Sequence, residues 1–365
     1  MSRAPTVYGR EYNVDVRPVI DLRGDWAAPP TAEMRRAMAN AEVGDDITGE
    51  DPTVNRLEAM AAEVLGKQAG LFVPSGSMGN LVAMLALAPW GSEILAGDQS
   101  HIAGAEQGGA AVVGGRSIRT LANGRMGTFD PAAIRAAIRE DDIHYPRTGL
   151  LCLENTQNQC GGVPIDAATM AAQTEVAREM GIPVHLDGSR IWNAAVALGV
   201  PEAELAVHCT TVQACLSKGL AAPVGSILVG PADVIAVARR HRKLLGGGMR
   251  QAGVLAAAGI LALTDMRAGL ADDHRRARTI AETIAAMPGV SVDLDTVGTN
   301  LVYASLEPGM DGELIAAAMA RDGVRISAWR TGMRFALHYG IDDEGVERAI
   351  AAIGAAVGQG SGVAA

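Results

Sequence analysis

Short apolar runs alternate with alanine-rich helical patterns over the first two thirds of the chain, and this alternation restricts the possible folds most. Strands separated by helices are typical of βαβ units, so we predict a largely parallel sheet. Ligands of such sheets bind beyond the carboxyl ends of the strands, where we expect the chemistry of this protein. The predicted strands of this region are Ala69–Val73, Ser92–Ala96, Leu150–Leu153, Ile182–Leu186, Thr210–Ala214 and Ser226–Val229.

The chain is too long for one compact core. It has 365 residues, of which 48% are hydrophobic, so a large domain and a smaller one are expected. From about Met266 the pattern changes to a long charged helix, Ala268–Met287, followed by short strands and two more helices. We predict an N-terminal extension (1–19), a large α/β domain (20–260), a small α+β domain (261–357) and a flexible tail (358–365).

Charge and composition argue against several classes of function. The net charge is −10 and no block of lysines and arginines is present, which argues against nucleic acid or an anionic membrane as the partner. Residues 1–17 lack the apolar region of a signal peptide, and the longest apolar runs fall short of a membrane span. The four cysteines form neither a CxxC pair nor a zinc-finger pattern. We expect a soluble, cytoplasmic protein that holds no metal and acts on a small molecule.

Lys218 follows an apolar run and stands between a serine and a glycine. A lysine becomes a nucleophile toward aldehydes when burial or nearby cations lower its pKa. A surface lysine in a loop is the more common interpretation of such a residue on its own. The neighbouring segments favour the catalytic interpretation.

Asp187 ends the apolar run Val184–Leu186, and Arg190 follows three residues later. In pyridoxal phosphate enzymes a carboxylate pairs with the ring nitrogen of the cofactor and keeps it protonated. An aspartate at this place is alternatively a cap of the next helix. Because Lys218 lies one βα unit downstream, we favour the cofactor role.

The segment Ser75-Gly-Ser-Met-Gly79 follows a strand and opens a helix. Backbone N–H groups and hydroxyls at the start of a helix bind phosphate. The segment lacks the lysine of a nucleotide P-loop, which favours a phosphate held by neutral donors. Any tight βα turn looks similar, so the motif is weak by itself.

Two histidines, His101 and His144, also lie in loops, where a lone histidine is more often structural.

Taken together, these segments resemble the low-specificity L-threonine aldolase family, a branch of the fold-type I pyridoxal phosphate enzymes. The resemblance extends over most of residues 20–340. It is carried by Asp21-Leu-Arg23, Val43-Gly-Asp-Asp46, Gly49-Glu-Asp-Pro-Thr-Val-Asn55, Pro74-Ser-Gly76, Glu154-Asn-Thr156, Leu186-Asp-Gly188, Cys215-Leu-Ser-Lys-Gly219, Pro223-Val-Gly-Ser226 and Gly246-Gly-Gly-Met-Arg-Gln251.

The resemblance implies a large domain with a mainly parallel seven-stranded sheet, a small C-terminal α+β domain, pyridoxal phosphate as cofactor, and a homotetramer with shared active sites. It implies that Lys218 binds the cofactor covalently, Asp187 holds its ring nitrogen and His101 stacks on its ring. Arg250 is similar to the family's arginine that reaches the cofactor phosphate of a neighbouring subunit. The remaining cofactor-binding residues would be Ser75, Gly76, Ser77, Arg190 and Gln213.

The resemblance also implies substrate-binding and acid–base residues. Arg190 and Arg334 are similar to the arginines near the cofactor hydroxyl and the substrate carboxylate, a task that suits the bidentate guanidinium. His144 matches a second active-site histidine. Either His101 or His144 suits a general base near neutral pH, and the sequence does not decide between them.

The chain departs from the family pattern around the expected substrate site. Gly24 and Trp26 stand where the family has the serine and threonine of Asp-Leu-Arg-Ser-Asp-Thr, and that serine helps to hold the substrate carboxylate. Thr48 replaces a tyrosine, and Ala105 stands where some members have an aromatic residue. We therefore place Gly24, Thr48 and Ala105 at the substrate and expect a substituent larger than the methyl of threonine. The alternative is that Trp26, which is bulkier than the family's threonine, occupies the vacated space. Gln157 and the segment Leu337–Gly340 also differ from the family.

The function implied by the resemblance is reversible cleavage of the Cα–Cβ bond of L-β-hydroxy-α-amino acids, which gives glycine and an aldehyde. The alternative is another reaction with the same cofactor, namely β-elimination, racemisation or transamination. A cofactor-binding protein without catalysis is a third hypothesis, which the retention of Lys218, Asp187 and both arginines opposes.

Overall fold

The computed structural model describes residues 19–360. Nearly all of the predicted N-terminal extension lies outside the described residues. The last helix extends to Gly360, two residues beyond the predicted start of the tail, and residues 361–365 lie outside the described part.

Twelve strands of the described part of the chain form two sheets. In chain order they are β1 (Ile20–Leu22), β2 (Ala69–Val73), β3 (Glu93–Gly97), β4 (Ser117–Leu121), β5 (Thr148–Glu154), β6 (Val184–Asp187), β7 (Thr211–Cys215), β8 (Ser226–Gly230), β9 (Val290–Ser291), β10 (Leu301–Leu306), β11 (Val324–Trp329) and β12 (Gly332–Ala336).

Fourteen α-helices lie within the described residues. They are α1 (Ala32–Ala39), α2 (Pro52–Val64), α3 (Gly76–Leu87), α4 (His101–Gly104), α5 (Gly109–Val112), α6 (Pro131–Ala137), α7 (Ala167–Glu179), α8 (Ile191–Leu198), α9 (Glu202–Ala206), α10 (Ala232–Leu244), α11 (Gly253–Leu261), α12 (Leu270–Ala285), α13 (Gly312–Arg321) and α14 (Asp343–Gly360).

The large sheet has seven strands in the order β2-β8-β7-β6-β5-β3-β4. Pairs among β3 to β7 are parallel, and β8 runs antiparallel to both of its neighbours. The mainly parallel seven-stranded sheet is therefore confirmed. Its central strands are buried along their length, as near-continuous apolar runs require when both faces are covered. In register, Glu154 lies beside Asp187, and Asp187 lies beside Gln213. Three polar side chains thus meet at the carboxyl edge of the sheet.

The small sheet has the order β1-β11-β12-β10-β9, with β1 parallel to β11. Residues 20–22, which the predicted bounds include in the large domain, form strand β1 of this small sheet. Ile20 and Leu22 are buried in the core of the small domain, where they pack with residues such as Phe335 and Ile353. The alternating apolar residues of β1 gain this burial only beside β11, about 300 residues away in the chain.

A continuous helical stretch, Gly253–Ala285, joins the two domains. It is long and apolar enough to cross a membrane by length and composition, but core helices of globular proteins meet the same criteria. Ala258 and Leu263 are buried in the core of the large domain, whereas Ala277 is buried in that of the small one. The cores therefore meet inside α12, a little beyond the predicted boundary at residue 260.

Candidate active site

A cavity of about 220 Å³ opens at the carboxyl edge of the large sheet. It contains the predicted Lys218, His101 and the segment Ser75–Ser77. Within the described residues, the Lys218 side chain has no hydrogen bond or ion pair. The complete lining is Trp26, Pro74, Ser75, Gly76, Ser77, His101, Glu106, Ser189, Cys215, Ser217, Lys218, Val224 and Gly225.

Asp187 lies at the end of β6 with only 1% of its surface exposed. Its Oδ2 accepts a hydrogen bond from Asn80 Nδ2 at 2.9 Å, and its Oδ1 accepts one from the Ser189 backbone N–H at 3.1 Å. The Gln213 amide, oriented so that both of its ends are satisfied, donates to Asp187 Oδ1 at 3.0 Å. Burial opposes ionisation, but the charge of Lys218 and these donors hold the pKa of Asp187 below its ordinary value. A buried, ionised carboxylate is therefore fixed here.

A second layer of hydrogen bonds fixes Asn80 itself. Asn80 Oδ1 lies 3.0 Å from His185 Nε2, and His185 Nδ1 lies 2.8 Å from Thr211 Oγ1. Burial lowers the pKa of His185 to about 4, so the ring is neutral at physiological pH. A neutral ring donates to Asn80 from Nε2 and accepts from the Thr211 hydroxyl at Nδ1. Asn80 then turns its N–H groups toward Asp187.

His101 begins α4 and is held by two glutamates. Its Nδ1 lies 2.8 Å from Glu106 Oε1, and its backbone N–H donates to Glu154 Oε2 at 2.7 Å. The hydrogen bond with Glu106 raises the pKa of His101, while burial and the charge of Asp187 raise the pKa of Glu154 to about 7. Nε2 of His101 has no partner among residues 19–360. This nitrogen is available to a ligand in the cavity.

His101, Glu106 and Asp187 also have the spacing of a metal site, because their ligand atoms lie within 4.8 Å of one another. Hydrogen bonds already account for this arrangement. Asn80 Nδ2 donates to Glu106 at 2.8 Å as well as to Asp187, and Glu106 binds the His101 ring. We therefore interpret the cluster as a hydrogen-bonded network.

Arg190 and Asp25 form a buried bidentate ion pair across the two domains. Arg190 Nε and Nη2 donate to Asp25 at 2.7 and 2.8 Å, and Asn300 Nδ2 donates to the same carboxylate at 3.1 Å. Although burial would raise the pKa of Asp25, Arg190 holds it well below its ordinary value. Nη1 of Arg190 donates to Asn158 Oδ1 at 3.3 Å. The predicted site arginine is thus held in place by residues of both domains.

Arg334 lies on β12 beside the segment that precedes Asp25. Its Nη2 donates to the Arg23 carbonyl at 2.8 Å, and its guanidinium carbon lies 5.9 Å from the centre of the Tyr303 ring. The Nε atom is buried without a hydrogen-bond partner. A buried N–H donor without a partner is costly, so this arginine is suited to an anionic ligand.

Ser75 caps α3, since its hydroxyl accepts a hydrogen bond from the Met78 backbone N–H at 3.2 Å. The N–H groups of Gly76 and Ser77 lie in the first turn, where helices have donors without intrahelical partners. A Cβ atom on Gly76 would come within 3.0 Å of Cys215 Sγ, so glycine keeps the helix close to β7. The predicted phosphate site is thus a helix N-terminus in the cavity wall.

Three predicted site residues lie elsewhere on the chain. His144, which was expected in the active site, does not line this cavity of its own chain: it precedes β5 at the amino end of the sheet, is exposed and pairs with Asp142. Thr48 is exposed and does not line the cavity, and Arg250 is also exposed, with an ion pair to Asp45.

The other two substrate-site predictions lie close to the cavity. Ala105 is exposed directly before the lining residue Glu106. Gly24 is buried against the side chain of Trp26, which lines the cavity.

The sequence analysis did not identify the residues that orient the predicted ones. For two of them the sequence did contain an indication. Glu154 belongs to the segment Glu154-Asn-Thr156, and Asp25 matches the second aspartate of the family motif Asp-Leu-Arg-Ser-Asp-Thr. No sequence pattern indicated the other three, Asn80, Glu106 and Asn300. Their contacts with Asp187, His101 and Asp25, respectively, depend on the tertiary structure.

Residues 21–307 match the family of beta-eliminating lyases. The chain is 45% identical over 334 residues to a probable low-specificity L-threonine aldolase 2 of Arabidopsis thaliana, an alignment that covers 90% of this chain and 94% of the relative. It is 42% identical over 301 residues to the low specificity L-threonine aldolase of Escherichia coli K12, covering 82% and 87% of the two chains. The chain therefore belongs to the low-specificity L-threonine aldolase family, within the beta-eliminating lyases.

Solved structures support the same fold at lower identity. The threonine aldolase of Leishmania major superposes with a TM-score of 0.79 at 17% identity, covering 93% of this chain and 99% of the other. A putative L-allo-threonine aldolase of Listeria monocytogenes superposes with a TM-score of 0.77 at 20% identity, covering 92% and 96%. The fold-type I architecture expected from the sequence is confirmed.

Proposed function

We propose that this protein is a pyridoxal phosphate-dependent aldolase that cleaves L-β-hydroxy-α-amino acids such as threonine to glycine and an aldehyde. The observation that carries the proposal is the placement of Lys218 in a cavity whose wall contains a helix N-terminus suited to phosphate, with the fixed carboxylate of Asp187 directly behind the lining residue Ser189. The names of the relatives at 42 to 45% identity support this reaction.

The residues of the cavity fit the cofactor. Lys218 would bind it covalently, the start of α3 would hold its phosphate, and Asp187 would hold its ring nitrogen. Asp187 fits because it is buried and ionised, and three donors fix its direction. When bound, the cofactor supplies a protonated ring that accepts the electron pair of the bond that breaks.

The other residues bind the substrate and move a proton. Arg334 would bind the substrate carboxylate, a task that suits its guanidinium, and Arg190 supports the same region through its ion pair with Asp25. His101 Nε2 takes the proton from the β-hydroxyl oxygen, because Nδ1 is engaged with Glu106. That contact raises the pKa of His101 above its ordinary value. The rate of cleavage should therefore increase with pH as His101 loses its proton, at a higher pH than is usual for a histidine. The ion pair between Arg190 and Asp25 links the two domains at this site.

We also propose that the active protein is a homotetramer whose sites are shared between subunits. Thr48 and Arg250 lie together outside the cavity of their own chain, where Arg250 pairs with Asp45 and Thr48 Oγ1 donates to the Asp45 carbonyl at 3.2 Å. The exposure of these two residues together on one surface supports a site that is shared with a neighbouring subunit. Sedimentation of the cofactor-loaded protein, with and without the substitution Arg250→Ala, tests the assembly and the affinity for cofactor.

Borohydride labelling tests the cofactor assignment sharply, because the chain contains only three lysines. Lys67 donates its hydrogen bond to the Cys209 carbonyl at 2.6 Å, and Lys243 lies outside the cavity. Borohydride makes the linkage between a lysine amine and an aldehyde permanent, so peptide mapping should place the label on Lys218. The variant Lys243→Ala should still be labelled and Lys218→Ala should not. A label on Lys67 or Lys243 would contradict the assignment.

The description of the matching family favours β-elimination as the second candidate function. Product analysis separates the two reactions. The aldolase releases glycine and acetaldehyde from threonine, whereas elimination releases ammonia and a 2-oxo acid. Formation of 2-oxobutanoate in place of glycine would overturn the proposal.

A further inference from the structure

Among residues 19–360, Trp26 contributes the only large apolar side chain to the cavity wall. The rest of the lining is polar or small, apart from Pro74 and Val224. The Trp26 side chain lies at the open mouth of the cavity, with 54% of its surface exposed. An apolar group that enters this cavity therefore has one aromatic surface against which it can pack.

Gly24 makes room for this ring. The backbone of Gly24 is extended, with φ −175° and ψ 149°, a conformation that any residue adopts. A Cβ atom at this position, however, would lie 2.0 Å from Trp26 Nε1, 2.5 Å from Cε2 and 2.6 Å from Cδ1. The indole therefore lies directly against the glycine, and any larger residue at position 24 would displace it. Positions 24 and 26 depend on each other for steric reasons.

The backbone that carries the ring is firmly held. Trp26 is the middle residue of a 3-10 turn, Asp25–Ala27, in which the Ala27 N–H donates to the Gly24 carbonyl at 2.9 Å. Asp25 is fixed by the buried pair with Arg190, and the guanidinium of Arg23 lies 5.6 Å from the centre of the indole. The ring thus projects from a rigid turn and is placed for binding at low entropic cost.

We propose that Trp26 determines substrate specificity by packing against a planar, apolar β-substituent, so that the preferred substrates are aryl-substituted β-hydroxy-α-amino acids. This inference rests on the proposed aldolase function. Arg334 donates to the Arg23 carbonyl, so the proposed carboxylate site adjoins the segment that carries the indole. A substrate whose carboxylate is held there lies beside the segment that carries Trp26. A phenyl ring covers far more of the indole than a methyl group does, and aromatic pairs gain additional stabilisation in stacked or edge-to-face arrangements.

Kinetics with two substrates test the proposal. For each variant we would measure kcat/KM for L-threo-phenylserine and for L-threonine. Trp26→Ala should lower the phenylserine value about tenfold and change the threonine value less than about threefold. Trp26→Phe should retain most of the preference, because an aromatic ring remains. Trp90→Ala is the matched control, since Trp90 is an exposed tryptophan that does not line the cavity, and its ratio should equal that of the wild type.

The substitution Gly24→Ser provides a second, independent test. The added side chain should displace the indole, so Gly24→Ser should lose the phenylserine preference to a similar extent, and the double variant with Trp26→Ala should lose little more. Calorimetric binding of L-phenylalanine and L-alanine, which lack the β-hydroxyl group, gives a readout that does not depend on turnover. Trp26→Ala should weaken the binding of phenylalanine about tenfold and leave that of alanine unchanged.

The outcomes separate the two proposals. Absence of glycine formation from either substrate would overturn the aldolase function. Cleavage of threonine with an unchanged ratio in Trp26→Ala, or equal losses for both substrates, would overturn the role of Trp26 and leave the aldolase intact.

Discussion

The two ends of the large sheet are built differently. At the carboxyl end, Glu154, Asp187 and Gln213 are buried and each accepts or donates hydrogen bonds. At the amino end, the loop before β5 exposes Ile143 almost completely and His144 pairs only with the neighbouring Asp142. The same strands thus connect a fixed polar network to an open surface. The comparison teaches that strand direction, rather than residue type, decides which polar residues can act together.

The largest effect should come from the centre of the network. Asp187→Ala should lower kcat at least about a thousandfold, because the cofactor ring would lose the carboxylate that keeps it protonated. Some cofactor should still bind through Lys218, which absorbance would detect. The control Asp141→Ala changes an exposed aspartate at the amino end of the sheet and should leave kcat unchanged. If Asp187→Ala kept wild-type kinetics, the carboxyl end of the sheet would matter no more for catalysis than the amino end.

Substitution of Arg334 should have a smaller effect, on substrate binding. Arg334→Ala removes a charge-assisted pair, so KM for threonine should increase about tenfold to a hundredfold with a smaller change in kcat. Arg325→Ala, which removes an exposed arginine of the neighbouring strand, should leave KM unchanged. If kcat fell and KM stayed constant, Arg334 would act on the reaction and not on carboxylate binding.

Asp273 is a buried carboxyl of α12, and its expected effect concerns stability. Both of its carboxylate oxygens lack partners, and burial raises its pKa to about 7. The unfolded chain ionises this carboxyl near pH 3.8, so ionisation destabilises the folded protein increasingly as pH rises from about 4 to 7. Asp273→Asn should therefore stabilise the protein by about 2 kcal/mol at pH 8 and by less at pH 5. Chemical denaturation at both pH values checks this.

The exposed neighbour provides the control for this prediction. Asp272→Asn alters a residue of the same helix whose side chain is 64% exposed, and it should change the free energy of unfolding by less than about 0.5 kcal/mol. A gain in stability for Asp273→Asn that does not depend on pH would contradict the electrostatic explanation.

The smallest effect should come from His144. Because it lies at the amino end of its own sheet, His144→Ala should keep kcat/KM for threonine within about threefold of the wild type. The matched substitution His101→Asn should lower it at least about a hundredfold, since it removes the proposed base. A large loss in His144→Ala would mean that the amino end of one subunit completes the site of another.

Most of the large domain could be predicted from the sequence because its strands are continuous apolar runs. The predicted strand Ala69–Val73 is β2 without change, and the other predicted strands differ from β3 and β5 to β8 by a few residues. Strand β4 was not predicted, because Ser117–Leu121 lies at the edge of the sheet and contains only two apolar residues. In the small domain, where the sequence predicts short strands, β9 has only two residues and ends at Ser291, before a 3-10 turn.

The site could be predicted only where chemistry and local pattern coincide. Lys218, Asp187 and Ser75 follow strands, so the parallel sheet alone brings them to one edge. The pairing of Asp25 with Arg190 could not be predicted, because 165 residues separate the partners and no pattern records their approach. Three further residues resemble site residues of the family but do not line the cavity of their own chain, namely Thr48, Arg250 and His144.

The pairing of β1 with β11 has a consequence for how the protein is made. Synthesis proceeds from the N-terminus, and large domains generally begin to fold while the chain emerges. Residues 20–22 find their partners only after residue 326 has been made, and Asp25 is held beside Arg190 by Asn300, which is also translated late. Contacts between such distant residues form slowly, because closing a long loop costs entropy. A ribosome-bound chain that ends before β11 should therefore contain a folded sheet, with Lys218 already in place, and yet lack the finished substrate pocket.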